Sequence, residues 1–324
     1  MSRQKVLVVG AGAIGGVFAS YFAKVSDVTI FDVNQAHVDA INANGLRLSG
    51  ETESVTQIPA VSDPAALADM QFDGVMISVK GMFTRAAVES LTPHLQGSPV
   101  LFTIQNGLGN VEVLQELVDW PVMHGITLEG GHFIEPGHVK HLVRGEESWV
   151  GPARGSFEEM RWFGELMDES GIKTRTVPDP SGAIWSKFIF NSTLNPVGVL
   201  IRGVPEVMYQ SDEIYELVNE MMQEGTQVAN GLGIELLFDP MHFINDLRSG
   251  KIPPLKHAGS MSYDIAEARA TEIEFLTGYM VRKADELGID VPVTRTVYRL
   301  LVGTEMGVFI RKESGERRQT AKTV

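Results

Sequence analysis

Six residues near the start of the chain constrain the fold more than any other feature. The run Lys5–Val9 has the length and β-branched content of a buried strand, and Gly10-Ala11-Gly12-Ala13-Ile14-Gly15 follows it directly, where a helical pattern begins. In such a unit the first glycine makes the tight turn, the second lets the backbone approach a pyrophosphate, and the third allows close helix–strand packing. The helix N-terminus favours an anion there. The pattern predicts a dinucleotide-binding loop; the alternative is a purely structural glycine turn.

Asp32 comes at the end of the second predicted strand, Val28–Phe31. A carboxylate about 20 residues after the glycines accepts hydrogen bonds from both ribose hydroxyls and repels a 2′-phosphate. We therefore expect Asp32 to bind the adenosine ribose, with NAD(H) favoured over NADP(H). The alternatives are an aspartate that caps the following helix, and a 2′-phosphate held by Lys24 or His37.

The hydrophobic pattern divides the chain in two. Short β-rich runs alternate with helix-length amphipathic stretches in the first 110 residues, and short alternating runs over 45–58 suggest a small insertion of strands. After Pro180 the pattern is helical, with Ile214–Asn230 and Ala266–Leu287 as the longest stretches. We predict an α/β Rossmann-type doubly wound sheet over 1–178, an all-α substrate and dimerisation domain over 179–312, and a flexible tail over 313–324.

Composition narrows the function classes. With 27 Lys and Arg against 41 Asp and Glu, the formal net charge is −14, which argues against a nucleic-acid binder and against adhesion to anionic membranes. The absence of cysteine excludes disulfides, thiolate metal sites and thiol nucleophiles. No apolar run approaches the roughly 18 to 20 residues of a membrane span, and no signal-peptide pattern opens the chain. A cytoplasmic location is the expectation.

Polar residues recur on one predicted helix that is otherwise apolar. Lys187, Asn191 and Asn195 fall at i, i+4 and i+8, which places them on one face. A lysine and two amides are costly on a buried helix unless that face lines a polar cleft, and the alternative is a stripe that faces solvent. Glu272 lies in a later helical pattern, where spacing alone predicts a solvated carboxylate.

Two further polar residues follow predicted strands. Lys80 comes after Gly74–Val79, and Asn106 comes after Val100–Ile104, both at the carboxyl edge of the sheet, where doubly wound folds bind ligands. The alternatives are a solvated lysine and an asparagine that forms a turn before Gly107.

Taken in order along residues 5–310, these motifs resemble the ketopantoate reductase (2-dehydropantoate 2-reductase) family. The matching motifs are Gly10–Gly15, Lys80-Gly81, Gln105-Asn106-Gly107-Leu108-Gly109, Lys187-x3-Asn191-x3-Asn195-Pro196, Ser260 and Thr271-Glu272-Ile273. The resemblance implies a Rossmann domain, a helical domain like that of 6-phosphogluconate dehydrogenase, and an interdomain active site. It also implies reduction of a 2-oxo acid by a nicotinamide cofactor.

The resemblance also implies residue roles. Lys187 matches the group that donates a proton to the ketone oxygen, and Glu272 matches a carboxylate that positions it. The substrate-binding matches are Asn106, Asn191, Asn195 and Ser260. The cofactor-binding matches are Gly10, Gly12, Ala13, Ile14, Gly15, Asp32, Lys80 and Asn106.

One departure from the family opens a second interpretation. Members that use NADPH commonly carry a basic residue at or just after the second strand, where this chain has Asp32-Val33-Asn34. A related branch comprises NAD-dependent D-2-hydroxyacid dehydrogenases similar to D-mandelate dehydrogenase. A third interpretation is a dinucleotide-sensing protein without turnover, although binding alone needs neither Lys187 nor Glu272.

The sequence predicts no metal site, and it predicts few kinds of partner. His132, His138 and His141 flank a β-like hairpin but have no carboxylate at ligand spacing, so no metal site is expected. His257 precedes Ser260 closely and is the one histidine near a matched motif. Partners are expected to be a small 2-oxo or 2-hydroxy acid and, through apolar helices such as Ile214–Val228, a second copy in a homodimer.

Overall fold

The computed structural model describes residues 3–254 and 259–313, and the chain forms two compact units. Unit 1 comprises residues 1–105 and 109–184, and unit 2 comprises residues 106–108 and 185–324. The predicted tail, apart from residue 313, and His257 lie outside the described residues.

Unit 1 alternates strands and helices as the pattern predicts. Its elements are β1 (Lys5–Val9), α1 (Ala13–Phe22), β2 (Asp27–Phe31), α2 (Gln35–Asn44), β3 (Leu46–Gly50), β4 (Ser54–Thr56), β5 (Ala60–Val61), β6 (Gly74–Ile77), α3 (Thr84–Leu91), β7 (Val100–Thr103), α4 (Asn110–Leu117), β8 (Val122–Ile126), β9 (Gly130–Glu135), β10 (His138–Val143), β11 (Ser148–Arg154), α5 (Phe157–Ser170) and β12 (Thr174–Thr176).

The main sheet has eight strands in the order β12-β11-β8-β7-β6-β1-β2-β5. Neighbouring strands are parallel except for the pair β8 and β11. Strand order reverses at β1, which has β2 on one side and β6 on the other. In doubly wound folds, ligands bind at such a switch point, outside the carboxyl ends of the strands.

Burial on both faces explains why the central strands are continuously apolar. Successive residues of β1 point to opposite faces, so Val6 and Val8 join one hydrophobic cluster while Leu7 and Val9 join another. Both faces of the sheet are therefore covered by helices, as parallel sheets require.

A second sheet, in the order β4-β3-β10-β9, packs against α1. It joins the insertion predicted over 45–58 to the hairpin that carries the three histidines. Two glycines allow the close approach: a Cβ at Gly131 would lie 2.1 Å from the Ala13 carbonyl oxygen, and one at Gly16 would lie 2.8 Å from Val139. This sheet therefore lies directly on the first turns of α1.

Every regular element in the described part of unit 2 is helical, as predicted. These are α6 (Ser181–Leu200, whose first turn belongs to unit 1), α7 (Val207–Gln210), α8 (Asp212–Gly231), α9 (His242–Arg248), α10 (Ser260–Ala266), a short 3-10 helix (Ile273–Phe275), α11 (Thr277–Leu287) and α12 (Pro292–Glu313).

The predicted helix Ala266–Leu287 is wrong, because the chain leaves helical geometry between α10 and α11. Ala268 has a positive φ of 51°. The Thr271 N–H donates 2.6 Å to the carboxylate of Glu305 instead of to a carbonyl one turn back. Glu272 therefore follows a bend and precedes the 3-10 helix, so it does not lie within a long helix.

The predicted fold class, an α/β doubly wound sheet followed by an all-α part, is confirmed. In residues 3–254 and 259–313, each helix is too short or too polar to cross a bilayer.

Candidate active site

The loop after β1 has the geometry of a phosphate cradle. Gly10 has a φ of +85°, and a Cβ there would lie 2.8 Å from a Val79 methyl. A Cβ at Gly15 would lie 1.9 Å from the Gly10 carbonyl oxygen, so the helix can pack this closely only with glycine. At Gly12, by contrast, an added Cβ meets nothing within 4 Å. The start of α1 is therefore open beside Gly12, and a helix N-terminus favours an anion.

Three side chains hold the peptide groups of this loop. The Ser78 hydroxyl, just after β6, donates 2.6 Å to the Gly10 carbonyl. The Ala11 N–H donates 2.9 Å to a carboxylate oxygen of Asp32, and the Ala11 carbonyl accepts a 2.9 Å bond from Nε2 of His37. The loop is therefore oriented by residues that directly follow β6 and β2 and by a residue of α2.

Asp32 is partly exposed and does not cap α2. Its second oxygen accepts from the Asn34 N–H at 2.9 Å, and Asn34 is the residue whose side chain caps the helix, accepting from the His37 N–H. Each carboxylate oxygen still has a lone pair to offer, since Oδ2 accepts from Ala11 and Oδ1 accepts from Asn34. The arrangement leaves Asp32 able to accept from ribose hydroxyls.

Neither Lys24 nor His37, the two alternative partners for a 2′-phosphate, lies where it would contact one beside Asp32. His37 is buried, and both ring nitrogens are engaged, because Nδ1 accepts from the Gly137 N–H at 2.8 Å. Lys24 follows the far end of α1, about 15 Å along a ten-residue helix from the glycine loop. Its ammonium lies over the Tyr21 ring and contacts the Ser170 carbonyl.

The carboxyl ends of β6 and β7 are joined by one side-chain amide, that of Gln105. Lys80 is partly exposed at the N-terminus of a short 3-10 helix, Gly81–Phe83. The Gln105 amide donates to the Val79 carbonyl and to the Thr84 hydroxyl at 2.8 Å. This network holds the edge on which Lys80 lies.

In unit 2 the face of α6 that carries Lys187, Asn191 and Asn195 is also the face that solvent reaches. Between Ala183 and Val199, every residue is buried except Lys187, Phe190, Asn191 and Asn195. These three polar residues are only partly exposed, which fits the wall of a recess better than a solvent-facing helix.

Lys187 is held in an environment that weakens its affinity for a proton. Removal of the ammonium from water lowers its pKa from 10.5 to about 8, and the negative charge of nearby Glu272 opposes that shift. Although the sequence pattern placed Glu272 on a helix face, the bend before the 3-10 helix brings it close to Lys187.

Asn106 lies with these residues because the loop after β7 packs on the segment that follows Glu272. The Leu108 N–H donates 2.8 Å to the Phe275 carbonyl, and a Cβ at Gly107 would lie 2.2 Å from the same oxygen. The side-chain amide of Asn191 donates 3.3 Å to the side-chain oxygen Oδ1 of Asn106.

Ser260 is exposed and is the first residue of α10. The preceding Gly259 lies beside Asn195, since a Cβ there would be 3.1 Å from the Asn195 side-chain oxygen. Unit 2 thus brings together Lys187, Asn106, Asn191, Asn195 and Glu272, with the start of α10 next to Asn195.

Sequence reasoning missed the roles of Ser78 and His37 in holding the glycine loop. Ser78 lies near the end of the predicted strand Gly74–Val79, which was a usable signal, whereas nothing in the sequence places His37 against Ala11. The hairpin histidines bond within the protein: His141 to Glu129 at 2.6 Å and His138 to Ser49 at 2.8 Å. Among the described residues, no group of three or more His, Asp or Glu is placed to hold a metal.

Two family models match this chain and together cover most of it. Ketopantoate reductase PanE/ApbA matches residues 6–155, and ketopantoate reductase PanE/ApbA C terminal matches residues 179–305. The chain belongs to the ketopantoate reductase family. It is thereby placed among the oxidoreductases, and the family implies a nicotinamide dinucleotide cofactor.

Individual relatives agree over nearly the whole length. The 2-dehydropantoate 2-reductase of Archaeoglobus fulgidus is 28% identical over 309 residues, 95% of this chain and 100% of that protein. The 2-dehydropantoate 2-reductase of Pyrococcus horikoshii is 29% identical over 305 residues, 93% of this chain and 98% of that protein.

Solved structures give the same fold. A ketopantoate reductase of the PanE/ApbA family from Ralstonia eutropha has a TM-score of 0.82 at 27% identity, covering 94% of this chain and 100% of that one. D-mandelate dehydrogenase in complex with NADH and anilino(oxo)acetate has a TM-score of 0.84 at 21% identity, covering 94% and 99%. The latter likeness supports the fold alone.

Proposed function

We propose that this protein reduces the ketone of 2-dehydropantoate or a similar branched 2-oxo acid, with NADH as the favoured cofactor and Lys187 as the general acid. The observation that carries the proposal is the cluster in unit 2, where Lys187 has a pKa of about 8 beside Glu272 and shares a helix face with two asparagines. An amine tuned toward neutral pH on a stripe of amide side chains suits proton transfer to a bound oxo acid.

The glycine loop supports a dinucleotide on the other unit. A bound nicotinamide dinucleotide would supply the hydride. Gly12, Ala13 and Ile14 offer partly exposed backbone at the N-terminus of α1 for the pyrophosphate, with Gly10 and Gly15 shaping the turn. Asp32 accepts from the ribose hydroxyls, and Lys80 and Asn106 follow the neighbouring strand ends.

The residues of unit 2 hold the substrate and move one proton. Asn106, Asn191, Asn195 and Ser260 donate to the carboxylate and hydroxyl oxygens of the acid. As hydride adds to the carbonyl carbon, the C=O π electrons move to oxygen, and Lys187 Nζ gives that oxygen its proton. The product is a 2-hydroxy acid, and the neutral amine takes a proton back from water. Glu272 stabilises the ammonium form before each turnover.

Asp32 favours a second candidate, an NAD-dependent D-2-hydroxyacid dehydrogenase of the D-mandelate type. A carboxylate at the end of β2 suits an unphosphorylated ribose. The same groups then run the reaction in either direction, with neutral Lys187 accepting the proton of the hydroxyl during oxidation.

A panel of 2-oxo acids with NADH and NADPH separates these candidates. We expect the highest kcat/KM for 2-dehydropantoate or another branched acid with NADH. A preference for aryl-substituted acids would instead establish the D-mandelate type. Cofactor binding without turnover on any member would leave a dinucleotide sensor as the function and would contradict the proposal.

A further inference from the structure

We infer that His37 is a positioning residue for the cofactor: by holding the Ala11 carbonyl, it aims the Gly12 N–H at the bound pyrophosphate. The inference rests on the proposed binding of a dinucleotide at the glycine loop. It concerns a residue that lies on α2 and takes no part in the chemistry.

The geometry fixes the protonation of the His37 ring. The Ala11 carbonyl can only accept, so Nε2 must donate to it across 2.9 Å. The Gly137 N–H can only donate, so Nδ1 must accept from it across 2.8 Å. The ring is therefore neutral and protonated on Nε2, with both nitrogens satisfied in a site that is 1% exposed.

Because the peptide bond is planar, the hydrogen bond from His37 to the Ala11 carbonyl also orients the Gly12 N–H. No cis peptide occurs in the described chain, and in a trans peptide the C=O of one residue and the N–H of the next point in opposite directions. Because His37 holds the Ala11 C=O, the Gly12 N–H must point away from His37. The peptide before it is held in the same way, by Ser78 at the Gly10 carbonyl and by Asp32 at the Ala11 N–H.

His37 also ties the loop to the small sheet. Gly137, whose N–H it accepts, has a φ of +79° in the turn between β9 and β10, and the neighbouring Phe133 ring packs edge-on to the imidazole at 5.1 Å. Gly131 of β9 approaches the Ala13 carbonyl. The small sheet therefore contacts Ala13 directly, and it is linked to Ala11 through the His37 ring of α2.

A fixed N–H binds an anion better than a mobile one, because the cost of ordering it is met before the ligand arrives. Replacing His37 with Phe keeps an aromatic ring against Phe133 but removes both nitrogens. Gln offers a donor and an acceptor on one carbon, as the imidazole does, and is the conservative variant. His138→Phe is the matched control, since His138 lies in the small sheet that His37 contacts and bonds to Ser49 rather than to the loop.

The test is a calorimetric titration of each folded full-length variant with NADH, together with kcat at saturating NADH. We expect NADH to bind His37→Phe about tenfold more weakly, or about 1.4 kcal/mol, with kcat nearly unchanged. His37→Gln should recover most of the affinity, and His138→Phe should match the wild type. Wild-type affinity in His37→Phe would overturn the inference, and so would equal losses in the Phe and Gln variants, which would indicate packing alone.

A measurement on the unmodified protein covers the case in which His37→Phe does not fold. Nitrogen-15 NMR of labelled histidines, assigned by the signal lost in His37→Gln, reports which ring nitrogen carries the proton. Protonation on Nε2 is expected, and protonation on Nδ1 would overturn the inference. If the wild type turns over NADH and His37→Phe binds NADH as tightly as the wild type, the inference fails and the proposed function stands. If the wild type does not bind NADH, both the inference and the proposed function are refuted.

Discussion

At Lys187 two opposing effects set the protonation of one amine. Removal from water favours the neutral form, and the charge of Glu272 favours the ammonium. With a pKa of about 8, roughly nine in ten molecules carry the proton at pH 7, yet the amine releases it far more readily than a solvated lysine. These two properties suit the general-acid role that we propose for Lys187, because the amine is mostly protonated at neutral pH and holds its proton weakly.

This pKa predicts the pH dependence of reduction. Since reduction consumes the ammonium form, the single-turnover rate should be level below about pH 8 and fall about tenfold per pH unit above it. Glu272→Gln removes the charge that raises the pKa of Lys187, so the fall should begin at lower pH. Stopped-flow rates of both proteins across the alkaline range test this, and a fall displaced to higher pH in the variant would refute the assigned interaction.

Asp32 predicts the choice between cofactors. Two like charges about 4 Å apart repel by roughly 1 kcal/mol in water and about 4 kcal/mol near a protein surface, so NADH should be preferred by about 10- to 10³-fold. Asp32→Asn removes the charge but keeps an oxygen that can accept from Ala11, and it should narrow the preference by about tenfold or more. Asp39→Asn, an equal change of charge on exposed α2 surface, is the control. A wild type that prefers NADPH in kcat/KM would contradict this role.

At the scale of elements, the β1–α1 turn separates two kinds of glycine requirement. Gly15 is needed for the fold, since its missing side chain admits the Gly10 carbonyl. Gly12 has no such neighbour, so no steric contact demands a glycine there. Under the proposed function, the glycine is needed at position 12 because a bound pyrophosphate would take the space of a side chain.

Substitutions at these two glycines should therefore have different effects. Gly12→Val should melt close to the wild-type temperature and bind NADH at least about 100-fold more weakly, because its side chain occupies the phosphate position. Gly15→Ala should lower the melting temperature, because even a methyl group collides with backbone. Thermal melts and NADH titrations of both variants test this. Undiminished affinity in Gly12→Val would make the loop a structural turn.

Helices and strands that are determined by their own sequence pattern were predictable. Those that depend on contacts with residues far along the chain were not. The periodicity of α1 and α6 and the apolar run of β1 follow from burial on known faces. The strand β11 was missed because Gly151 and Pro152 disfavour a strand, and Pro152 is tolerated only beside a register shift in the ladder. The break before Glu272 depends on Glu305, 34 residues beyond the Thr271 N–H that it accepts.

The same division holds for the candidate site. The spacing of Lys187, Asn191 and Asn195 predicts their common face, and the glycine pattern predicts the loop. The proximity of Glu272 to Lys187 and the bond from His37 to Ala11 depend on how separate elements pack, which no local pattern encodes.

At the scale of the whole molecule, the net charge of −14 does not attract an anionic cofactor or an oxo acid. The proposed function therefore assigns anion binding to local groups: the N–H groups at the start of α1 in one unit, and Lys187 with its asparagines in the other. Family membership over both units agrees with a reductase that uses these two sets of groups for cofactor and substrate.

The most direct test of this account is the turnover of Lys187→Ala with NADH and the best 2-oxo acid of the panel. Loss of the general acid should lower kcat by about 10²-fold or more, while the Kd for NADH stays at the wild-type value. Lys283→Ala, at a lysine whose side chain is 23% exposed on another helix of unit 2, should keep wild-type kcat. A Lys187→Ala enzyme within a few-fold of wild-type kcat would contradict the account.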